Sequence, residues 1–202
     1  LKKGLHRPFV TKVPYYVLVE FENPEQLHTD AALTLFEHCA EQGWLTDGII
    51  SQSESQAKEL WQLRDDISES ISEYQPYKND VSVRISRIPA FLAEVDALLR
   101  REYPDFEVLW YGHIGDGNLH INILKPVSVN PTTFAQKCGA VSEHLFAILQ
   151  RHGGSISAEH GVGLTKKPFL HYTRDETEVS YLRAIKQVFD PNGIMNPGKI
   201  FD

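Results

Sequence analysis

The sequence predicts an α+β fold: a largely antiparallel sheet with helices packed on one face and a helical extension at the C-terminal end. Three observations carry this. Strand-like runs and helical spacings interleave along the chain without the regular strand–helix repeat of a parallel sheet. Two strand-like runs, 106–114 and 119–124, flank an Asp-Gly turn signal. Two longer helical spacings, 132–152 and 175–189, follow them.

Taken in order, the β-branched and aromatic run from Tyr15 to Phe21 predicts a strand over 15–21. Pro24 and Asp30 precede apolar positions at Leu33, Leu35, Phe36, Cys39 and Ala40, whose spacing is helical, with Gly43 as the stop. Residues 45–50 read as a short strand. Residues 54–71 read as one helix, with Ala57, Leu60, Trp61, Arg64, Ile67, Ser68 and Ile71 on or near one face. Val81, Val83 and Ile85 alternate as in a strand over 80–85. A helix over 89–103 begins with Pro89 near its first position. The helix over 132–152 ends at Gly153-Gly154, and Asp-Pro-Asn-Gly after 189 opens a turn-rich tail. No internal repeat or low-complexity linker interrupts the chain, so one domain over 1–202 is the simplest partition.

Composition narrows the function. With 202 residues and 42% hydrophobic content, the chain can bury one good core. Charged residues at 23% and a net charge of −7 exclude a disordered chain. The 20 Lys and Arg are scattered rather than gathered in a stripe, which argues against a nucleic-acid partner. No apolar run approaches the roughly 18 residues of a transmembrane segment. Cys39 and Cys138 stand in unrelated contexts and read as two buried thiols in a reducing compartment. Leu1-Lys2-Lys3-Gly4 carries no initiator Met and no signal segment, the expected look of a chain cut from a longer protein.

The chemistry concentrates at Tyr111-Gly112-His113-Ile114-Gly115-Asp116-Gly117-Asn118-Leu119-His120-Ile121-Asn122. A two-residue turn centred on Asp116-Gly117 pairs residues whose numbers sum to 233, which sets His113 directly opposite His120. Their Cβ atoms would then stand about 4.5–5.5 Å apart. Leu119, Ile121 and Ile123 take the core face, while Asn122 shares the face of His120. Two converging imidazoles are a means of presenting nitrogen ligands to a divalent metal. Ser157-Ala158-Glu159-His160-Gly161-Val162-Gly163 adds a carboxylate ligand in Glu159 and a general base in His160. Both serve one site only if the backbone turns there, which Gly161 and Gly163 make easy. On spacing alone the same two residues read equally well as a carboxylate–imidazole pair in a loop. Arg64 offers a guanidinium fork for a carboxylate, with Ser68 one helical turn on, and Lys78 adds a second cation. A local ion pair of Arg64 with Asp65 or Asp66 accounts for that residue as well. The glycines of 112–117 do not spell the dinucleotide fingerprint, because position 120 is His and a strand follows the turn.

Together, Gly112-His113-Ile114-Gly115-Asp116-Gly117-Asn118-Leu119-His120, Ser157-Ala158-Glu159-His160-Gly161 and Asn196-Pro197-Gly198-Lys199 resemble the C-terminal domain of the FAD-linked oxidases. That is the family of D-lactate, glycolate and D-2-hydroxyglutarate dehydrogenases, flavoproteins of the vanillyl-alcohol-oxidase type. The segments 60–68 and 78–82 fit too, and the resemblance runs from about Tyr15 to the end. It implies a ferredoxin-like cap or substrate domain that covers FAD held by an N-terminal domain not found in this chain. It implies oxidation of a D-2-hydroxyacid to a 2-oxoacid, with His113, His120 and Glu159 binding a divalent metal such as zinc and His160 as the base. Arg64, Ser68 and Lys78 would hold the substrate carboxylate, Asn122 would lie near the substrate, and Asn196 would approach the flavin. Ser68 stands where some relatives carry Thr. The implied partners are a 2-hydroxyacid, the FAD-binding domain of the same protein and, as one open assembly, a second copy in a homodimer. The implied compartment is the bacterial cytoplasm or, in a eukaryote, the mitochondrion. Two rival readings of the residues are a metal-dependent hydrolase that needs no flavin and a non-catalytic α+β binding module.

Overall fold

Ser53, Asn130 and Asp175 each accept a backbone N–H two or three residues into the helix that follows, and so fix where three helices begin. The computed structural model describes residues 5–22 and 26–201. Leu1-Lys2-Lys3-Gly4 and Pro24 lie outside the described residues. The chain divides into two compact units, Leu1–Glu73 and Tyr74–Asp202.

The first unit is helical. Helix α1 (Gln26–Glu41) stops as predicted at Gly43, whose φ of +70° is the left-handed turn that glycine adopts most readily. Residues 15–21 form no strand, and neither do 45–50, among the described residues of the unit. Their β-branched and aromatic content suits a pleated, half-buried surface, and strand propensity alone does not supply the partner that a ladder requires. The single helix expected over 54–71 is divided into α2 (Glu54–Asp65) and α3 (Ile67–Ser70). The division falls at Asp66, where ψ flattens to −2° beside a second aspartate, a residue type that competes with the helix for backbone hydrogen bonds.

The second unit holds the sheet. Strands β1 (Tyr77–Ser82), β2 (Val108–His113) and β3 (Asn118–Ile123) lie in the order β1-β3-β2, with β3 antiparallel to both neighbours. Helix α4 (Ile88–Glu102) connects β1 to β2, and α5 (Pro131–Arg151) follows β3. After α5, Ser82 and Ser155 exchange both backbone hydrogen bonds, at 3.0 and 2.8 Å, as an isolated antiparallel bridge on the outer edge of β1. The sequence of elements is therefore βαββα with one bridge in place of a fourth strand, consistent with the antiparallel α+β prediction. Strand β1 begins three residues before the predicted start, and Ile85 turns outward in a short 3-10 helix.

One face of the sheet makes the core. Val81, Ile121 and Ile123 pack with Phe91, Val95, Leu98 and Leu99 of α4 and with Phe134, Cys138, Val141, Leu145 and Leu149 of α5. Leu119, also assigned to this face, packs against the cluster as a half-buried residue. Of the two thiols, Cys138 is in this core and Cys39 is half-buried, and both are free. The last helix, α6 (Glu176–Phe189), starts with a full capping box at Asp175 and Glu178. It ends at Asp190, whose carboxylate accepts from Lys186 Nζ and from the backbone N–H groups of Ile194 and Met195. No helix among the described residues is long and apolar enough to cross a membrane.

The β2–β3 hairpin differs from its expected register. His113 pairs with Asn118 and Tyr111 with His120, so paired numbers sum to 231 and the loop is the four residues from Ile114 to Gly117. The loop contains a turn closed by Asp116 N–H to His113 O, followed by Gly117 at φ +76°. Asp116 does not take the positive φ that a two-residue turn centred on Asp116-Gly117 requires; its side chain accepts from Asn118 N–H instead, at 2.9 Å. Gly117 is doubly constrained, because a Cβ there would stand 1.9 Å from the carbonyl oxygen of Val83. We expect Gly117→Ala to cost about 2 kcal/mol or more in denaturant unfolding. Gly115→Ala, which meets nothing within 4 Å, should stay within about 0.5 kcal/mol of wild type.

Candidate functional site

The face of the sheet opposite the core carries the polar side chains. Alternation places Lys78, Asp80 and Ser82 of β1 on it, opposite Asn122, His120 and Asn118 of β3 respectively. Tyr111 flanks His120 from β2, its ring stacked on the imidazole with centroids 4.8 Å apart. His120, Asn122, Asn118 and Asp80 are all buried. Such groups are costly to bury without partners, which marks this face as built for polar chemistry. The register shift kept both histidines here, because sliding a strand by two residues preserves the face while changing the partner. His113 is therefore the diagonal neighbour of His120, with the rings edge to face and centroids 6.1 Å apart.

The loop after α5 brings the remaining groups. Its backbone turns as expected, with Gly161 at φ +80° and Gly163 at +53°. What holds it is Asp80, whose Oδ2 accepts from the N–H groups of Ala158, Glu159 and His160 at 3.2, 3.1 and 3.0 Å. Lys166 Nζ donates to the Asp80 carbonyl at 2.7 Å and stands 3.8 Å from Oδ2. Burial alone would raise the Asp80 carboxyl pKa, but these N–H groups and the charges of Lys166 and His160 together hold it below the usual carboxylate value. Burial lowers the Lys166 pKa, and Asp80 opposes that shift.

The loop so held delivers Glu159 and His160 to the sheet. Glu159 Oε1 is 3.2 Å from His120 Nε2 and 3.8 Å from His160 Nε2. His120 Nδ1 faces Asp80 Oδ1 at 3.7 Å, and His160 Nδ1 faces Oδ2 at 3.8 Å. One donor atom from each of Asp80, His120, Glu159 and His160 lies within 4.8 Å of the others. Two imidazoles and two carboxylates at this spacing suit a borderline divalent ion such as zinc.

The sequence-predicted residues fall out as follows. His120, Glu159 and His160 come together. His113 stands one ring further out, half-exposed, with Nδ1 3.9 Å from Asp116 Oδ2. Lys78 is inside β1 rather than before it, exposed and directly opposite Asn122. Asn122 is 1% exposed, and its Nδ2 has no hydrogen-bond partner. Arg64, half-buried, lies in the last turn of α2, and Ser68, exposed, lies in α3, both in the first unit. Asn196, at φ +47°, lies in an exposed tail tied back to the site loop by Ile200 N–H to Gly163 O at 3.0 Å. The sequence reading missed Asp80 and Lys166. Alternation against Val81 and Val83 was the available signal for Asp80; Lys166 offered none.

Comparison with known proteins shows the family. The sequence model of the family "FAD linked oxidases, C-terminal domain" matches residues 2–200. A D-2-hydroxyglutarate dehydrogenase of Stutzerimonas stutzeri is 56% identical over 194 residues, 96% of this chain and 42% of that protein. One of Xanthomonas citri is 54% identical over 202 residues, 100% of this chain and 43% of that protein. A mitochondrial D-2-hydroxyglutarate dehydrogenase of Bos taurus is 34% identical over 202 residues, 99% of this chain and 36% of that protein. The chain thus spans about two fifths of the length of the two bacterial relatives.

The three amides gathered by Asp80 should be protected from hydrogen exchange. Asp80→Ala is expected to cut the protection of Ala158, Glu159 and His160 by about tenfold or more, since hydrogen bonds to a charged group contribute about 1.5–3 kcal/mol. Exchange read by mass spectrometry on that peptide, with the α5 peptide as the internal reference, measures it.

Proposed function

The chain belongs to the FAD-linked oxidase C-terminal domain family, and from that premise we propose that it supplies the substrate pocket, metal ligands and catalytic base of a flavin-dependent D-2-hydroxyacid dehydrogenase. The observation that carries the proposal is the meeting of His120 Nε2 and Glu159 Oε1 at 3.2 Å, with His160 in the same loop. His113, His120 and Glu159 are the proposed ligands of a divalent ion, zinc being the best match to two imidazoles and a carboxylate. FAD is held mainly by the part of the full-length protein outside this chain, and Asn196 is the proposed point of approach to it. When bound, the ion supplies Lewis acidity toward the α-hydroxyl and the flavin supplies the oxidising equivalent.

The residues of the chain do the rest. His160 is the proposed base and takes the hydroxyl proton at Nε2, while its Nδ1 is turned toward Asp80. Its side chain is 54% exposed, which leaves the imidazole open to substrate. Lys78 and Asn122, paired across β1 and β3, offer an ammonium and an unpartnered amide N–H to a carboxylate on the site face. Arg64 and Ser68 are also proposed to bind substrate carboxylate, as the resemblance implies. Several donors directed at carboxylate favour a dicarboxylic acid such as D-2-hydroxyglutarate, the substrate in the names of the relatives above. By fixing the acid, they orient the α-carbon for reaction.

The test is metal analysis of the full-length protein with its variants. About one divalent ion per chain is expected, lost in His120→Ala and in Glu159→Ala; retained metal in both would overturn the ligand assignment. His160→Asn should keep the ion and lower turnover by about 10²–10⁴-fold. Turnover at the wild-type level in that variant would remove His160 as the base.

A further inference from the structure

The proposed ligands and base leave out the most buried carboxylate on the site face. Asp80 is 1% exposed, lies directly opposite His120 across β1 and β3, and uses its two oxygens differently. Oδ2 is filled by three backbone N–H groups. Oδ1 is buried with no hydrogen-bond partner and faces His120 Nδ1 at 3.7 Å. The opposite nitrogen of that ring, Nε2, faces Glu159. The imidazole is thus set between two carboxylates, one on each nitrogen.

We propose that Asp80 is a positioning residue that aims the metal site through both of its oxygens, and is not itself a ligand. This rests on the reading of His120 and Glu159 as metal ligands. Oδ1, 3.7 Å from His120 Nδ1, favours a proton on that nitrogen, and so the tautomer whose bare Nε2 lone pair is directed at Glu159 and the ion. A carboxylate behind a ligating imidazole fixes ring orientation and raises ligand basicity, and its loss commonly weakens metal binding about 10–100-fold. Oδ2 meanwhile pins the backbone of Ala158, Glu159 and His160, so one side chain fixes a ligand on the sheet, a ligand on the loop and the base beside it. Lys166 makes the arrangement tolerable by placing a cation 3.8 Å from Oδ2, beside a carboxylate that would otherwise be buried without one.

The full-length enzyme, labelled with ¹⁵N-histidine and loaded with ¹¹³Cd(II), gives a readout without mutation. Coupling of cadmium to His120 Nε2, with the proton on Nδ1, is expected; coupling to Nδ1 would overturn the proposal while leaving the metal site standing. A wild-type protein that takes up no cadmium or zinc would bring down the reading of the site itself, and this inference with it. Asp80→Asn in the same full-length protein should raise the zinc dissociation constant about 10–100-fold while X-ray absorption shows the same number of nitrogen and oxygen ligands. An unchanged dissociation constant, or a coordination shell short by one oxygen, would overturn the positioning role. If that variant does not fold, the cadmium spectrum of the wild-type enzyme decides the question alone.

Discussion

The Asp80 carboxylate is the constraint on which the rest of the polar face depends. Buried charge is costly, and this one is held by three backbone N–H groups converging on a single oxygen. Those groups belong to a loop nearly eighty residues away in sequence, so the bond is tertiary rather than local. Without it the loop that carries Glu159 and His160 would lose the three bonds that hold its own backbone to the sheet. The core on the other face makes the strand rigid; the carboxylate makes the loop rigid relative to the strand. A site with donor atoms from both needs each to be fixed.

How much of this was legible in the sequence follows from the range of the interactions. Caps, stops and periodicity are local, so α4, α5, α6 and the two hairpin strands were readable at close to their true bounds, and α1 at its stop. Strands at 15–21 and 45–50 were wrongly expected because propensity was read without a partner to pair with. The division of the helix at Asp66 turned on one residue's backbone geometry, which periodicity does not register.

The site divides the same way. His113 and His120 fell on one face by parity alone, a property that survives a two-residue slip, whereas their direct opposition depended on a turn type that Asp116 did not adopt. Glu159 and His160 were recognisable from a motif with two glycines behind it. Alternation could place Asp80 on the polar face but not give it a partner, and Lys166 had no local signal, because the importance of both lies in pairings between β1, β3 and the loop. The resemblance supplied roles for Arg64, Ser68, Lys78, Asn122 and Asn196 that their spacing does not.

The ammonium of Lys166 has a second effect. Ser82 directs both of its backbone groups outward to Ser155, and alternation makes Asp80 direct its own the same way, along the outer edge of β1. A bare strand edge is a template on which another polypeptide can add a strand and begin to aggregate. Lys166 occupies the outward carbonyl of Asp80, and the serine bridge occupies the position two residues on, so the edge offers an incoming chain no continuous row of acceptors. The lysine that offsets a buried charge thereby also guards the sheet against self-association, which ties the solubility of the domain to the electrostatics of its site.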